Sequence, residues 1–190
     1  HLPSTYGGTV VYDCMDDHIS MASNANKEIL SIQEKRLLDR ADIVFVSSVY
    51  LKEKINCQKA VLVRNGYKQG SLFPVESAKL VSTHTIAYFG TVSQWFDFDA
   101  IDAVVRNFDH IRFRLIGPAE IEKRIERVEY AGPVKHSKLF DSVSDCSCLI
   151  MPFKVNEIIK AVDPVKLYEY IAFGKCVISV RYPEIERFSD

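Results

Sequence analysis

Short runs of β-branched and aromatic residues alternate along this chain with longer stretches whose apolar positions recur at helical spacing. That alternation predicts βαβ units and a parallel sheet. The expected strands are Thr9 to Asp13, Ile43 to Ser47, Val61 to Arg64, Thr85 to Phe89, Arg112 to Ile116, a short one near Val128 to Tyr130, Cys148 to Met151 and Cys176 to Val180. They are near-continuous apolar runs, as expected of strands covered on both faces. Between them, Lys27 to Leu38, Ala100 to Phe108, Glu120 to Arg127, Ser137 to Ser144 and Val165 to Phe173 read as helices, the first with Ile29, Leu30, Ile32, Leu37 and Leu38 roughly on one face.

The stretch Asn65 to His84 breaks this rhythm, because it combines Asn-Gly, Gly-Ser and a proline with no apolar period. It reads as a linker and divides the chain into residues 1–80 and 81–190, two α/β units. No βα unit precedes the first strand, and the last is followed only by RYPEIERFSD, where a doubly wound domain normally carries a covering helix. Both ends are therefore expected to be incomplete.

Composition narrows the function classes. At 47% hydrophobic and 26% charged residues with a net charge of -1, the chain has no global electrostatic attraction for nucleic acid. A strongly anionic partner would need a local basic site. No apolar run approaches the ~20 residues of a membrane helix, and the first residues lack the basic and apolar regions of a signal peptide, so a cytoplasmic chain is expected. Cys14, Cys57, Cys146, Cys148 and Cys176 are odd in number and include no C-x-x-C, which signals neither a disulfide framework nor a zinc site.

Several motifs occur in a fixed order: YDCMDD (Tyr12 to Asp17), ADIVFVSS (Ala41 to Ser48), VRNG (Val63 to Gly66), YFGTVSQWFD (Tyr88 to Asp97), LIGP (Leu115 to Pro118), and MPFK followed by DPVKLYEYIAFGKCVIS (Asp163 to Ser179). Through these the chain resembles bacterial group 1 glycosyltransferases of the GT-B fold that build capsular, teichuronic and related cell-wall polysaccharides. The resemblance runs through nearly all of the chain, and its last motif is the most specific. It implies two Rossmann-like domains. Residues 1–80 would be the C-terminal part of the acceptor-side domain plus the linker, and 81–190 the nucleotide-sugar-binding domain without its final helices. In that family the donor lies mostly on the C-terminal domain, which agrees with the rule that ligands of open α/β sheets sit outside the carboxyl ends of the strands.

The residues suit that chemistry. Asp163 reads as the N-cap and Pro164 as the first residue of a helix whose N-terminus is an anion site. Lys166 in its first turn suits a diphosphate, and Glu169, one turn later, can accept from ribose hydroxyls. The resemblance implies the same two roles, and the alternative is a solvated i,i+3 ion pair. In the loop after Phe89, Gly90 permits close backbone approach, and Thr91 and Ser93 are candidate donors. Many group 1 enzymes carry an arginine and a lysine after this glycine, and this chain has neither, which leaves Lys166 as the main visible cation with Lys154 and Lys135 behind it. Trp95 and Phe96 are read as core. Gly117-Pro118 and Gly132-Pro133-Val134 sit where family members contact the nucleobase, so Gly117 and Val134 are donor-site candidates, although each is also an ordinary turn. His136 reads as a filler. Asp13, Asp16, Asp17 and His18 crowd the end of the first strand, where a carboxylate with a raised pKa could take a proton from an acceptor, making Asp13 and Asp16 catalytic candidates alongside Lys166. Capping of the next helix is the equal alternative for Asp13.

The expected activity is sugar transfer from a nucleoside-diphosphate sugar to a hydroxyl of a saccharide or lipid-linked saccharide, with no cofactor, no metal and no nucleic acid. Peripheral contact with the inner face of the membrane would run through a region outside this chain. The 190 residues alone are expected to bind donor without transferring it. Two rivals stand beside this: a GT-B-fold nucleotide-sugar epimerase, and a nucleotide-sensing module resembling a phospho-receiver, prompted by the aspartate cluster.

Overall fold

The computed structural model describes residues 6–67 and 84–188, so most of the expected linker, and with it the 80/81 boundary, lies outside the described residues. The chain divides into two compact units.

In the first unit, β1 (Val11–Cys14), β2 (Ile43–Val46) and β3 (Ala60–Leu62) form a parallel sheet in that order. Helix α1 (His18–Met21) and the long α2 (Asn24–Arg40) connect β1 to β2, and α3 (Val49–Ile55) connects β2 to β3. Cys14, Val44, Val46, Leu51 and Ala60 form its core, with Ala161 of α6 (Glu157–Ala161) packed among them. Ile29, Ile32 and Leu37 of α2 are exposed.

The second unit holds β4 (Thr85–Phe89), β5 (Arg112–Ile116), β6 (Val128–Gly132), β7 (Cys148–Met151) and β8 (Cys176–Ser179), all parallel, in the order β6-β5-β4-β7-β8. The strands run outward from β4 in one direction, then return to its other side. A doubly wound sheet places its ligands at such a reversal, outside the carboxyl ends. Ala87, Tyr88, Phe89, Phe113, Leu115, Leu149 and Met151 are buried, which is why these strands read as apolar runs. Helix α4 (Phe98–Asn107) covers the sheet with Phe98, Ile101 and Val105, one stripe at helical spacing. The side chain of Asp97 starts it by accepting from the N–H groups of Asp99 and Ala100, both at 3.1 Å. Between β6 and β7 lie a 3-10 turn (His136–Lys138) and α5 (Leu139–Val143), and α7 (Val165–Ala172) leads into β8.

Three expectations need correction. Glu120 to Arg127 is not helical: the Glu120 N–H donates to the Val92 carbonyl (2.9 Å), the Lys123 N–H donates to the Tyr130 hydroxyl (2.9 Å), and Arg127 has φ 58°. Helix α3 was not anticipated, although Ser48 caps it by accepting from the Leu51 N–H at 3.1 Å. Finally, Asn156–Asp163 and the stretch from Tyr182, including α8 (Pro183–Glu186), belong to the first unit rather than the second. Ala161 is part of the first core, and the buried Glu184 accepts from the Val49 N–H (2.7 Å) and from Arg64 (3.1 Å).

Candidate functional site

At the carboxyl ends of β4, β5 and β6 the backbones run close together. The Gly90 N–H donates to the Ile116 carbonyl and the Gly117 N–H to the Gly132 carbonyl, both at 2.8 Å. Gly90 has φ 135° and Gly117 φ 132°, a region that side-chain-bearing residues avoid. A Cβ on Gly117 would lie 2.4 Å from the Gly90 carbonyl oxygen. The glycines therefore leave room for a pocket of about 240 Å³, lined by Phe89, Gly90, Gly117, Val134, Lys166 and Glu169 among others. Pro118 and Pro133, which also read as turn residues, stand in its wall.

Helix α7 brings Lys166 and Glu169 to this pocket. Buried Leu167 and Tyr170 anchor it against the unit's core; the Tyr170 hydroxyl accepts from the Phe89 N–H and donates to the Ile150 carbonyl, each at 3.3 Å. Asp163 is not its cap. Pro164 occupies that position, with extended backbone at φ -78° and ψ 106° and no side-chain cap. The buried Asp163 carboxylate instead accepts from the Asn65 N–H (2.6 Å) and pairs with Arg187, so it serves the first unit.

The Lys166 side chain lies across Gly90, its Cε only 1.9 Å from where a Cβ would stand, and its Nζ is 5.9 Å from the centroid of the Tyr88 ring. Burial pushes the ammonium pKa down, and the charge of Glu169 partly offsets this. Among the described residues it has no hydrogen-bond acceptor and no ion-pair partner. The i,i+3 pair with Glu169 does not form. Glu169, 15% exposed, meets His136 instead, with Nε2 to Oε1 at 2.7 Å. A carboxylate only accepts, so the imidazole donates.

Thr91 and Ser93 are not in the pocket lining. The Thr91 carbonyl accepts from the Tyr88 hydroxyl (2.8 Å), and the buried Ser93 hydroxyl is turned onto Glu120. Phe96 is core, as its sequence context suggested. Lys154 sits 3.6 Å from Asp99, and Lys135 is exposed in the residue before His136. His136, which the sequence alone marks as a filler, holds Glu169. The sequence signal that could have found it is its place just beyond Gly132-Pro133, on the loop that walls the pocket.

In the first unit the acidic cluster is dispersed. Asp13 is exposed on β1 and Asp16 half-buried, and among the described residues neither carboxylate has a hydrogen-bond or ion-pair partner. Asp17 is buried and caps α1, accepting from the Ser20 N–H at 3.0 Å. Burial works against its charge, but hydrogen bonds from Lys54 and Ser20 outweigh burial and hold its carboxyl below the usual range. The expected upward shift is thus reversed at Asp17. Among the described residues, no group of three or more histidine, cysteine or acidic side chains could hold a metal ion, and no helix is long and apolar enough to cross a membrane.

No family model matches the chain. It is 23% identical over 94% of its length to TuaH of Bacillus subtilis, provisionally assigned as a teichuronic acid biosynthesis glycosyltransferase, and covers 52% of that protein. Among solved structures it is similar to sucrose-phosphate synthase of Thermosynechococcus elongatus, with TM-score 0.72 and 16% identity over 93% of this chain and 51% of the other. It is also similar to Anabaena HepE in complex with UDP and glucose, with TM-score 0.67 and 16% identity over 96% of this chain and 55% of the other. The chain thus spans about half the length of these proteins. Sequence similarity and structure point the same way: over the half of those proteins that it spans, the chain has the GT-B fold.

Proposed function

We propose that the pocket of the second unit binds the nucleoside diphosphate of a nucleotide-sugar donor. The whole protein would then transfer the sugar to a hydroxyl of a saccharide or lipid-linked acceptor in surface polysaccharide synthesis. The observation that carries this is the largely buried ammonium of Lys166, without a hydrogen-bond or ion-pair partner among the described residues and laid over Gly90 one helical turn from Glu169. A diphosphate on the first turn of α7 would gain the free N–H groups of the helix end and the Lys166 charge together. Ribose hydroxyls would donate to Glu169.

The same contacts supply chemistry. As the bond between sugar and diphosphate breaks, negative charge grows on the leaving group, and preorganised donors and cations stabilise it more than they stabilise the intact donor. Asp13 and Asp16, whose carboxylates are unengaged among the described residues, are the candidates for taking the acceptor proton. The UDP and glucose bound to HepE and the assignment of TuaH support the substrate class.

Calorimetric titration with UDP, GDP, ADP and dTDP, free and as sugar conjugates, tests the reading. At least one is expected to bind, and K166A and E169A should each weaken it by about 10 to 150-fold, the range for losing a hydrogen bond to a charged group. Binding curves unchanged in both variants would overturn the assignment.

A further inference from the structure

The carboxylate that would meet the ribose is already held by another side chain. Among the described residues, His136 is the only side chain hydrogen-bonded to Glu169, across 33 residues of sequence. The imidazole is 63% exposed and the carboxylate 15%. His136 opens the 3-10 turn that follows Pro133 and Val134, so one loop supplies both a wall of the pocket and the tether on its acidic residue. A glutamate samples several staggered rotamers and a broad terminal torsion, and a hydrogen bond to one oxygen narrows the set its carboxylate can adopt. Oε1 is committed to His136, while Oε2 has no partner among the described residues.

We propose that His136 is a positioning residue that sets the Glu169 carboxylate to accept from both ribose hydroxyls, and that selection of ribo- over 2′-deoxyribonucleoside diphosphates depends on it. This rests on the donor-site reading above. The cis-diol of ribose offers two donors to one carboxylate, whereas a 2′-deoxyribose offers one and leaves an acceptor position of the carboxylate unfilled. Sites built to hydrogen-bond a hydroxyl discriminate against the analogue lacking it for that reason. A swinging Glu169 would lose the preference while keeping its charge. The imidazole needs only a proton on Nε2, so the tether holds in its neutral form.

The test is titration of UDP and 2′-deoxy-UDP into the chain and its H136A, H136Q, E169A and K166A variants, with a thermal melt of each to confirm folding. The chain should prefer UDP. E169A abolishes the preference, and K166A weakens both ligands and preserves it. H136A should cut the preference about five- to tenfold, the equivalent of one neutral hydrogen bond, and change 2′-deoxy-UDP affinity by about twofold or less. H136Q, which keeps an N–H donor, restores part of it. Equal loss of both ligands in H136A, or an unchanged ratio while E169A collapses it, overturns the role of His136 and leaves the donor site standing. If another base of the panel above binds instead of uracil, the comparison is made with that nucleoside diphosphate and its 2′-deoxy counterpart, and a chain that binds none of the panel overturns both readings.

Discussion

Replacing Gly90 with alanine asks whether this glycine exists for the sake of Lys166. The new Cβ would stand 1.9 Å from Lys166 Cε, 2.8 Å from Nζ and 3.1 Å from Cδ, at a residue with φ +135°. All three nearest atoms belong to one flexible side chain, so the lysine would swing away rather than the sheet shift. The fold should lose about 1 to 3 kcal/mol from the strained φ alone. Donor affinity should fall by about 1.5 to 3 kcal/mol, or ~10 to 150-fold, because the ammonium no longer reaches the diphosphate. Calorimetry with UDP on G90A, K166A and the double variant separates direct from indirect action. If Gly90 acts through Lys166, the double variant binds no more weakly than K166A, within the ~0.5 kcal/mol by which independent sites normally add. Fully additive losses would refute the reasoning and give Gly90 a ligand contact of its own.

Other perturbations follow from the same geometry. G117A would bring a Cβ to 2.4 Å from the Gly90 carbonyl oxygen, where only backbone could yield; urea denaturation should show a loss of about 2 to 4 kcal/mol, more than for G90A. The pH dependence of UDP affinity has a fixed sign. Burial lowers the Lys166 pKa in the free site, a bound diphosphate raises it again, and binding above the free-site pKa therefore takes up a proton. Affinity should decline as the pH rises through that lowered value, before an ordinary lysine would titrate; a flat profile from about pH 7 upward, where the phosphates are fully ionised, counts against it. K166M keeps the length and removes the charge. It should stabilise the ligand-free chain by about 1 kcal/mol and abolish the UDP-induced rise in Tm, both read in one set of thermal scans.

The central strands β4 and β7 were legible because they are largely buried and read as apolar runs, and the glycines at φ above 130° were legible because little else fits there. Lys166 and Glu169 stood out through their spacing on one helix together with the motif resemblance, and both line the pocket. What escaped depends on partners distant in sequence. Ser93 reads as a free donor until Glu120, 27 residues on, takes its hydroxyl. Asp163 reads as a cap until Asn65, 98 residues back, donates to its carboxylate. The apolar spacing of Glu120 to Arg127 resembles a helix, but its backbone is drawn onto Val92 and Tyr130 instead. The return of Asn156–Asp163 to the first unit rests on Ala161 filling a core whose other members all lie before residue 63. In each case local pattern was correct about residue type and silent about the tertiary partner that decided its use.

The separation of Lys166 from Glu169 bears on why a desolvated cation is tolerated in this pocket. Three residues apart on one helix, they could form an ion pair contributing a few tenths of a kcal/mol. A diphosphate would then have to compete with Glu169 for the ammonium, and ribose hydroxyls would have to compete with Lys166 for the carboxylate. Binding would lose at both ends what the ligand-free chain had gained. Here His136 occupies one oxygen of Glu169, and Lys166 extends over Gly90 against the face of Tyr88. The ligand-free chain carries the cost of an under-solvated ammonium, visible as its lowered pKa. An anion that restores a partner to it recovers that cost on binding, so the contact contributes more than the same lysine would at an open surface. The glycine and the histidine are therefore parts of one arrangement: one makes room for the cation, and the other engages the carboxylate nearest to it.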